Sequence, residues 1–247
     1  MVEMVECLLN GEYKIILPKH RADREQWYSK EGWERERLKA MHDKIRKHLY
    51  EKKVPPVVFY IGSEEGDMAA LCQMWGAELV LFEPNPKVWS NTKAIWEANK
   101  LSTPICIQGF ASDKDTRYNW NKFIYAHEWP EDANREIEAA HGFKELNKEA
   151  DSYPQVEISQ IVGTDNIGYP DFVCIDVEGA EGHVLRGMES LMNSHRKPTI
   201  FLSLHPEFLR DYGEWGAELR RWIIDCGYKE TLLDYPLHEV HLMYEAE

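Results

Sequence analysis

Three carboxylates crowd together at Asp176, Glu178 and Glu181, inside the stretch "DFVCIDVEGAEGHVL" that spans residues 171–185. Like charges this close repel, and taking them out of water costs free energy unless each finds a partner. They follow directly on the apolar run 172–175, with Gly179 and Gly182 between and beside them. A buried strand that runs into acids ahead of a helix presents those acids at its carboxyl end. Three chemistries suit that place: holding the cationic end of a ligand, gripping a divalent metal, or removing a proton. Glu181 also has a purely structural reading, since acids in a first helical turn are favoured by the macrodipole. A fourth group, His205, closes the run "IFLSLHPEFL". With an ordinary pKa of about 6.5 it is the candidate general base. Asp176 then orients ligand or acceptor, and Glu178 is the alternative base, its pKa raised by neighbouring acids.

Two further features point to a nucleoside. In "FYIGSEEGDMAAL", Gly62 and Gly66 flank Ser63, Glu64 and Glu65 in a tight turn from strand to helix. Glycine there lets the backbone approach a ligand closely, although the spacing is not the full dinucleotide fingerprint. Glu83, followed by Pro84, ends the next apolar run about 20 residues on, where an acid accepts hydrogen bonds from ribose hydroxyls. Its plainer reading is an acid at a helix N-terminus. Glu64 and Glu65 would repel a pyrophosphate, which disfavours a dinucleotide. S-adenosylmethionine (SAM) carries a sulfonium and an ammonium but no phosphate, and it suits the loop. The turn "GFASDKD", with Ala111 and Ser112, ends a third run and lies where a SAM site meets the adenine.

The elements that must position these residues alternate. Runs at 57–61, 79–82, 105–110, 172–175 and 199–204 read as strands. Segments 67–75, 87–99, 181–192 and 215–226 read as helices between or after them. Two short strands follow near 228–234 and 239–243. This alternation means a parallel sheet covered on both faces. Residues 24–53 read as a helix with a stripe of Trp33, Leu38, Met41, Ile45 and Leu49, ended by Pro55 and Pro56. The expected organisation is an N-terminal helical extension over 1–53 and a Rossmann-like domain over 54–247. Residues 112–154 read as a polar insertion with a helix near 131–141. Its aromatics, Tyr118, Trp120, Phe123, Tyr125 and Trp129, suit a sugar ring or a local core.

The net charge of −14 makes a general nucleic-acid binder a poor fit. The five cysteines, at 7, 72, 106, 174 and 226, are scattered and odd in number, so neither a disulfide framework nor a cysteine zinc site is expected. No metal ligand is assigned; His238 and His241 fit no metal motif. The first residues carry acids where a signal peptide carries bases, and no apolar run reaches membrane-spanning length. The expected location is the cytoplasm, with no membrane partner. Oligomeric state is not readable.

The residues in "DFVCIDVEGAEGHVLRG" resemble the signature of the FkbM family of SAM-dependent methyltransferases. So do "LVLFEPNPKVWSNTKAIWEANK", "GFASDKD" and "PTIFLSLHPEFL", and the resemblance covers about residues 57–235. It implies a class I methyltransferase fold, a seven-stranded sheet with an antiparallel last strand. It also implies O-methylation of a sugar or other small-molecule or glycan hydroxyl. Under it, Gly62 and Gly66 shape the SAM loop, Glu83 holds the ribose, and Asp176, Glu178 and Glu181 occupy the signature positions. The chain departs from the family in two places. Tyr60 stands where the family has an Asp that helps hold the methionine ammonium, and Glu64–Glu65 occupy a loop that usually reads Gly-Ala-Asn-x-Gly. Glu64 is the expected substitute for the missing acid. The alternative is a methyltransferase fold that binds without catalysis.

Overall fold

The computed structural model describes residues 2–23, 34–119, 122–130, 153–164, 166–235 and 238–247. In chain order the elements begin with strands β1 (Met4–Leu9) and β2 (Tyr13–Pro18) and helices α1 (Lys19–Ala22) and α2 (Arg35–Lys52). Then come β3 (Val57–Ile61), α3 (Asp67–Met74), β4 (Glu78–Phe82), α4 (Trp89–Ala98), β5 (Ile105–Ile107), β6 (Phe110–Ala111), β7 (Ile124–Ala126) and β8 (Gln155–Val156). The rest are α5 (Ile158–Ile161), β9 (Phe172–Ile175), α6 (Glu181–Gly187), α7 (Glu189–Met192), β10 (Thr199–Leu204), α8 (Pro206–Leu209), α9 (Gly216–Asp225), β11 (Tyr228–Asp234) and β12 (Val240–Ala246).

The main sheet has eight strands in the order β11-β12-β10-β9-β3-β4-β5-β7. The five from β10 to β5 are mutually parallel. Their sequences are near-continuous apolar runs because a parallel strand is buried on both faces. β12 runs antiparallel to both β10 and β11. The expected seven strands are therefore all here, and the correction is an eighth. β7, from the segment read as an irregular insertion, pairs antiparallel with β5 and covers that edge.

Alternating side chains divide the core in two. Phe59, Ile61, Val173, Ile175, Ile200 and Leu202 face α5, α6, α7 and α9. Val58, Tyr60, Phe172, Cys174 and Phe201 face α2, α3, α4 and the β1–β2 hairpin. Within the second core lie Leu38, Met41 and Ile45 of α2, so the N-terminal helix covers the sheet itself. The N-terminal extension is not wholly helical, which corrects the sequence reading. It opens with the hairpin β1–β2, whose turn holds Asn10 at φ 54° and Gly11 at φ 70°. Asn-Gly is a pair that accepts left-handed backbone at a hairpin turn.

The run read as a strand over 105–110 stops at Ile107, and Phe110–Ala111 pairs with β8 in a sheet of its own. The helix read over 181–192 breaks at Met188 into α6 and α7. The helix expected near 131–141, Trp33 and Trp120 lie outside the described residues. Phe123 packs on the first core, and Tyr125 and Trp129 on the second, with Trp129 edge-on to Trp96 at 5.8 Å. These three insertion aromatics serve a local core. Among the described residues no helix is long and apolar enough to cross a membrane.

Candidate active site

The carboxyl ends of β3, β4, β9 and β10 lie side by side, so their following turns form one rim. After β3, Gly62 takes φ +77°, and its N–H donates to the Phe82 carbonyl at 2.9 Å. A Cβ there would sit 1.8 Å from the Asp176 carbonyl oxygen. Only glycine lets the first turn pass this close to the end of β9. The Ser63 Oγ beside it is buried and, among the described residues, has no hydrogen-bond partner.

Glu83, at the end of β4, is buried. Its carboxylate accepts the N–H of Glu64 at 2.9 Å and of Asn85 at 2.8 Å. Burial pushes its pKa up to about 8, against the pull of those two donors. Glu83 thus ties the first and second turns together. Pro84 is buried beside it.

Glu64 behaves differently from its expected role as a replacement acid. Its carboxylate meets Arg21 in a two-pronged pair, at 3.1 and 3.0 Å. Arg21 is itself buried and also bonds Asp67 at 2.7 Å. Glu65 pairs with His20 at 2.9 Å. Both loop acids are therefore answered by the segment after β2, and Glu64 brings no uncompensated charge to the site. Tyr60 is buried in the second core.

On the far side of the rim, Ala111 and Ser112 are buried. Ser112 donates its N–H to Val156 at 2.9 Å. The neighbouring Asp113 is held by His183 at 2.9 Å and Arg186 at 3.0 Å; burial raises its carboxyl, but these two partners together outweigh it and pull the group below the usual range. The third turn is thus pinned to α6.

The acids of the opening stretch find separate partners. Asp176 Oδ2 accepts from the Arg37 guanidinium at 2.9 Å. Arg37, on α2, also donates to the buried Glu34 at 2.8 Å. Glu181 is fully buried; its Oε1 accepts from the Gly179 N–H at 3.1 Å and bonds His205 Nδ1 at 2.7 Å. Glu178 is exposed on left-handed backbone at φ 49°, a conformation costing about 1–3 kcal/mol that clusters at functional sites.

His205 follows β10 with its other nitrogen, Nε2, aimed between Asp176 Oδ1 at 3.8 Å and Glu239 Oε1 at 3.6 Å. Burial pulls the imidazole down, but the carboxylates of Glu181, Glu239 and Asp176 outweigh it and push its pKa up to about 11. His205 therefore carries a proton at neutral pH. As a base drawn from an ordinary imidazole it is displaced from the role the sequence gave it. Glu239 would be raised by burial, yet His205 and His241 hold it well below the usual carboxylate range. His241 bonds Glu239 Oε2 at 3.0 Å and is ion-paired with Asp234. Against its burial, these acids push it up to about 9.

The sequence reading missed the roles of Arg37, Glu239 and His241: Arg37 reads there as one of the basic residues of a solvated helix face, and His241 as part of no metal motif. Arg37 had a signal: it lies four residues before Met41 and eight before Ile45, in the apolar stripe of α2. An arginine in such a stripe needs a buried acid. Glu239, just before β12, and His241, within it, are two residues apart, the spacing that puts side chains on one side of extended chain.

A mostly parallel sheet with β12 and β7 antiparallel near its two edges, a glycine turn coupled to an acid on the next strand, and a charged cluster at the ends of β9 and β10 define a class: a Rossmann-like domain built for a nucleoside ligand. Residues 57–230 match the Methyltransferase FkbM domain, and the chain belongs to that family. It is a SAM-dependent methyltransferase, with SAM as its cofactor. No curated protein matches the sequence. Among solved structures, the precorrin-6y C5,15-methyltransferase of Geobacter metallireducens GS-15 is 12% identical, with 86% of this chain and 88% of that chain covered, at a TM-score of 0.47. Magnesium protoporphyrin IX methyltransferase of Synechocystis PCC 6803 with bound SAM is also 12% identical, over 86% and 80%, at 0.47. The family assignment stands on the domain match.

Proposed function

We propose that the chain methylates a hydroxyl oxygen of a sugar or other small-molecule or glycan acceptor. One observation carries the reading: a cluster of Asp176, His205 and Glu239 stands at the same rim as the Gly62 turn and Glu83. A hydroxyl is a weak nucleophile until its proton is drawn off, and this cluster supplies the groups for that. Phe208 supports a ring-bearing acceptor. It stacks on His205 at 5.8 Å and 20° and is exposed, and aromatic faces suit sugar rings.

The site fits SAM. The Gly62 turn leaves backbone bare, and the Ser63 hydroxyl is buried and unpartnered among the described residues. When bound, SAM supplies an electrophilic methyl group. Gly62, Ser63, Glu64 and Gly66 would line its loop, and Glu83 with Pro84 would meet its ribose. Ala111 and Ser112 would lie by the adenine, and Asp176 by the methionine end. Glu181 fixes the His205 ring, whose charge steadies a developing alkoxide. The unbonded Asp176 oxygen takes the acceptor's proton. Glu178 lies outside that convergence, at the exposed mouth.

The opposing reading, binding without catalysis, is favoured by Tyr60 in place of an acid and by Arg37 already pairing Asp176. Labelled-methyl SAM incubated with a panel of glycans and small alcohols separates the two. Label on an oxygen is expected. S-adenosylhomocysteine (SAH) binding without label on any acceptor hydroxyl favours the second reading, and label only on nitrogen or carbon sinks the O-methylation reading.

Glu83 gives a pH-dependent expectation. Ribose hydroxyls donate better to a carboxylate than to a carboxyl, and Glu83 ionises near 8. SAH affinity should therefore rise from pH 6 to pH 8, as the proton that opposes binding is lost. Glu83→Ala should weaken binding by about 1.5–3 kcal/mol and flatten that slope. Calorimetry showing the same slope in parent and variant places the ribose elsewhere.

A further inference from the structure

We propose that Asp176, His205 and Glu239 form a binding site for one divalent first-row metal cation of the Mn2+ or Zn2+ type. That the cation would polarise the acceptor's hydroxyl rests on the O-methylation reading; the cation site itself does not. One ligand atom from each residue lies within 4.8 Å of the other two. His205 Nε2 is 3.8 Å from Asp176 Oδ1 and 3.6 Å from Glu239 Oε1. These are too long for hydrogen bonds. They sit near the spacing of about 3.0–3.7 Å between neighbouring donors around an ion bound at about 2.0–2.2 Å.

What separates this group from an ordinary acidic cluster is how each ligand is held from behind. Glu181 takes His205 Nδ1 at 2.7 Å. Arg37 takes the other oxygen of Asp176 at 2.9 Å, and His241 the other oxygen of Glu239 at 3.0 Å. In every case the bonded atom faces away and the unbonded one converges. A histidine whose far nitrogen is fixed by a carboxylate is the usual outer arrangement of a metal ligand. His205 is also more than nine-tenths buried, yet among the described residues its Nε2 has no partner closer than 3.6 Å and points into the gap, where a bound cation would displace the Nε2 proton and take over the ring's positive charge.

The donor chemistry selects the cation. Two carboxylates favour harder ions and an imidazole favours Zn2+ and its neighbours, so the mixed set suits Mn2+ or Zn2+ over Mg2+. Asp176 and Glu239 are only partly buried. The remaining coordination positions therefore open outward, as in a catalytic rather than a closed structural site.

The test titrates chelator-treated full-length protein with MnCl2, and separately ZnCl2, by calorimetry in the absence of SAM. One equivalent is expected, with affinity at least 100-fold weaker in Glu239→Gln and 10–100-fold weaker in Glu181→Gln (about the effect of losing an outer partner). Electron spin echo spectra of Mn2+ on the parent should show one imidazole nitrogen, a readout that needs no variant to fold. Absence of a bound equivalent overturns the proposal, as does Mn2+ bound without nitrogen coupling and unaffected by Glu239→Gln. O-methyl transfer undiminished in EDTA overturns the cation's part while keeping the O-methylation reading. Nitrogen-ligated Mn2+ with label only on non-hydroxyl acceptors supports the site and removes that reading.

Discussion

Gly62→Ala is expected to destabilise the fold by about 2–5 kcal/mol and to weaken SAH binding at least tenfold. Two costs combine. The backbone at φ +77° costs a residue with a Cβ about 1–2 kcal/mol. The Cβ, 1.8 Å from the Asp176 carbonyl oxygen, must also push apart the ends of β3 and β9, and such overpacking costs about 1–3 kcal/mol. The displaced residue is Asp176, so the damage reaches the site. Gly163 supplies the control. It has φ +84° with nothing among the described residues within 4 Å of a Cβ, so Gly163→Ala should bear the conformational cost alone. Denaturant unfolding of both variants reads the difference, and equal losses would show that the close approach is unimportant.

Arg37→Met should cost about 3–5 kcal/mol, the size expected when one partner of a buried ion pair is removed. The methionine fills much of the same volume, so the loss comes chiefly from stranded charge. Glu34 is buried and would lose a donor at 2.8 Å, and Asp176 one at 2.9 Å. The double variant Glu34→Gln/Arg37→Met should recover part of that loss, since it removes the stranded carboxylate. Thermal or denaturant unfolding measures the cycle. If the double variant is as unstable as the sum of the singles, the two groups are not coupled and the account fails.

The sheet was legible because its parallel strands are short apolar runs bounded by glycines, prolines and acids. The run 172–175 was read to the residue. The N-terminal hairpin was not, although Asn10-Gly11 marks its turn: each strand is brief, and β1 is mostly half-exposed. β7 escaped because three residues leave no periodicity to see. At the site, the strand-end residues Gly62, Glu83, Asp176 and His205 were legible from position alone. Their partners were not. Arg37 meets Asp176 across 139 positions of chain, a pairing that no local pattern encodes. The shift of His205 is likewise set by acids from two other segments. The composition of a strand tip indicates that a titrating group is present, while its protonation is decided by what the fold brings to it.

The charged cluster also sets an order of assembly. Glu239 precedes β12, which reaches the sheet between β10 and β11, and Arg37 precedes every strand of that sheet. As the chain is synthesised, β3, β4 and their turns emerge early and can associate locally, since the Glu64 N–H reaches Glu83 across only 19 positions. The acids of the 176–181 stretch emerge later, and His205 stays without Glu239 until the strand after it has been made. The Gly62–Glu83 side of the rim can thus take shape well before the Asp176–His205–Glu239 side is electrically complete. Slow, long-range closure of this kind leaves a partly built intermediate exposed for longest at its most charged point.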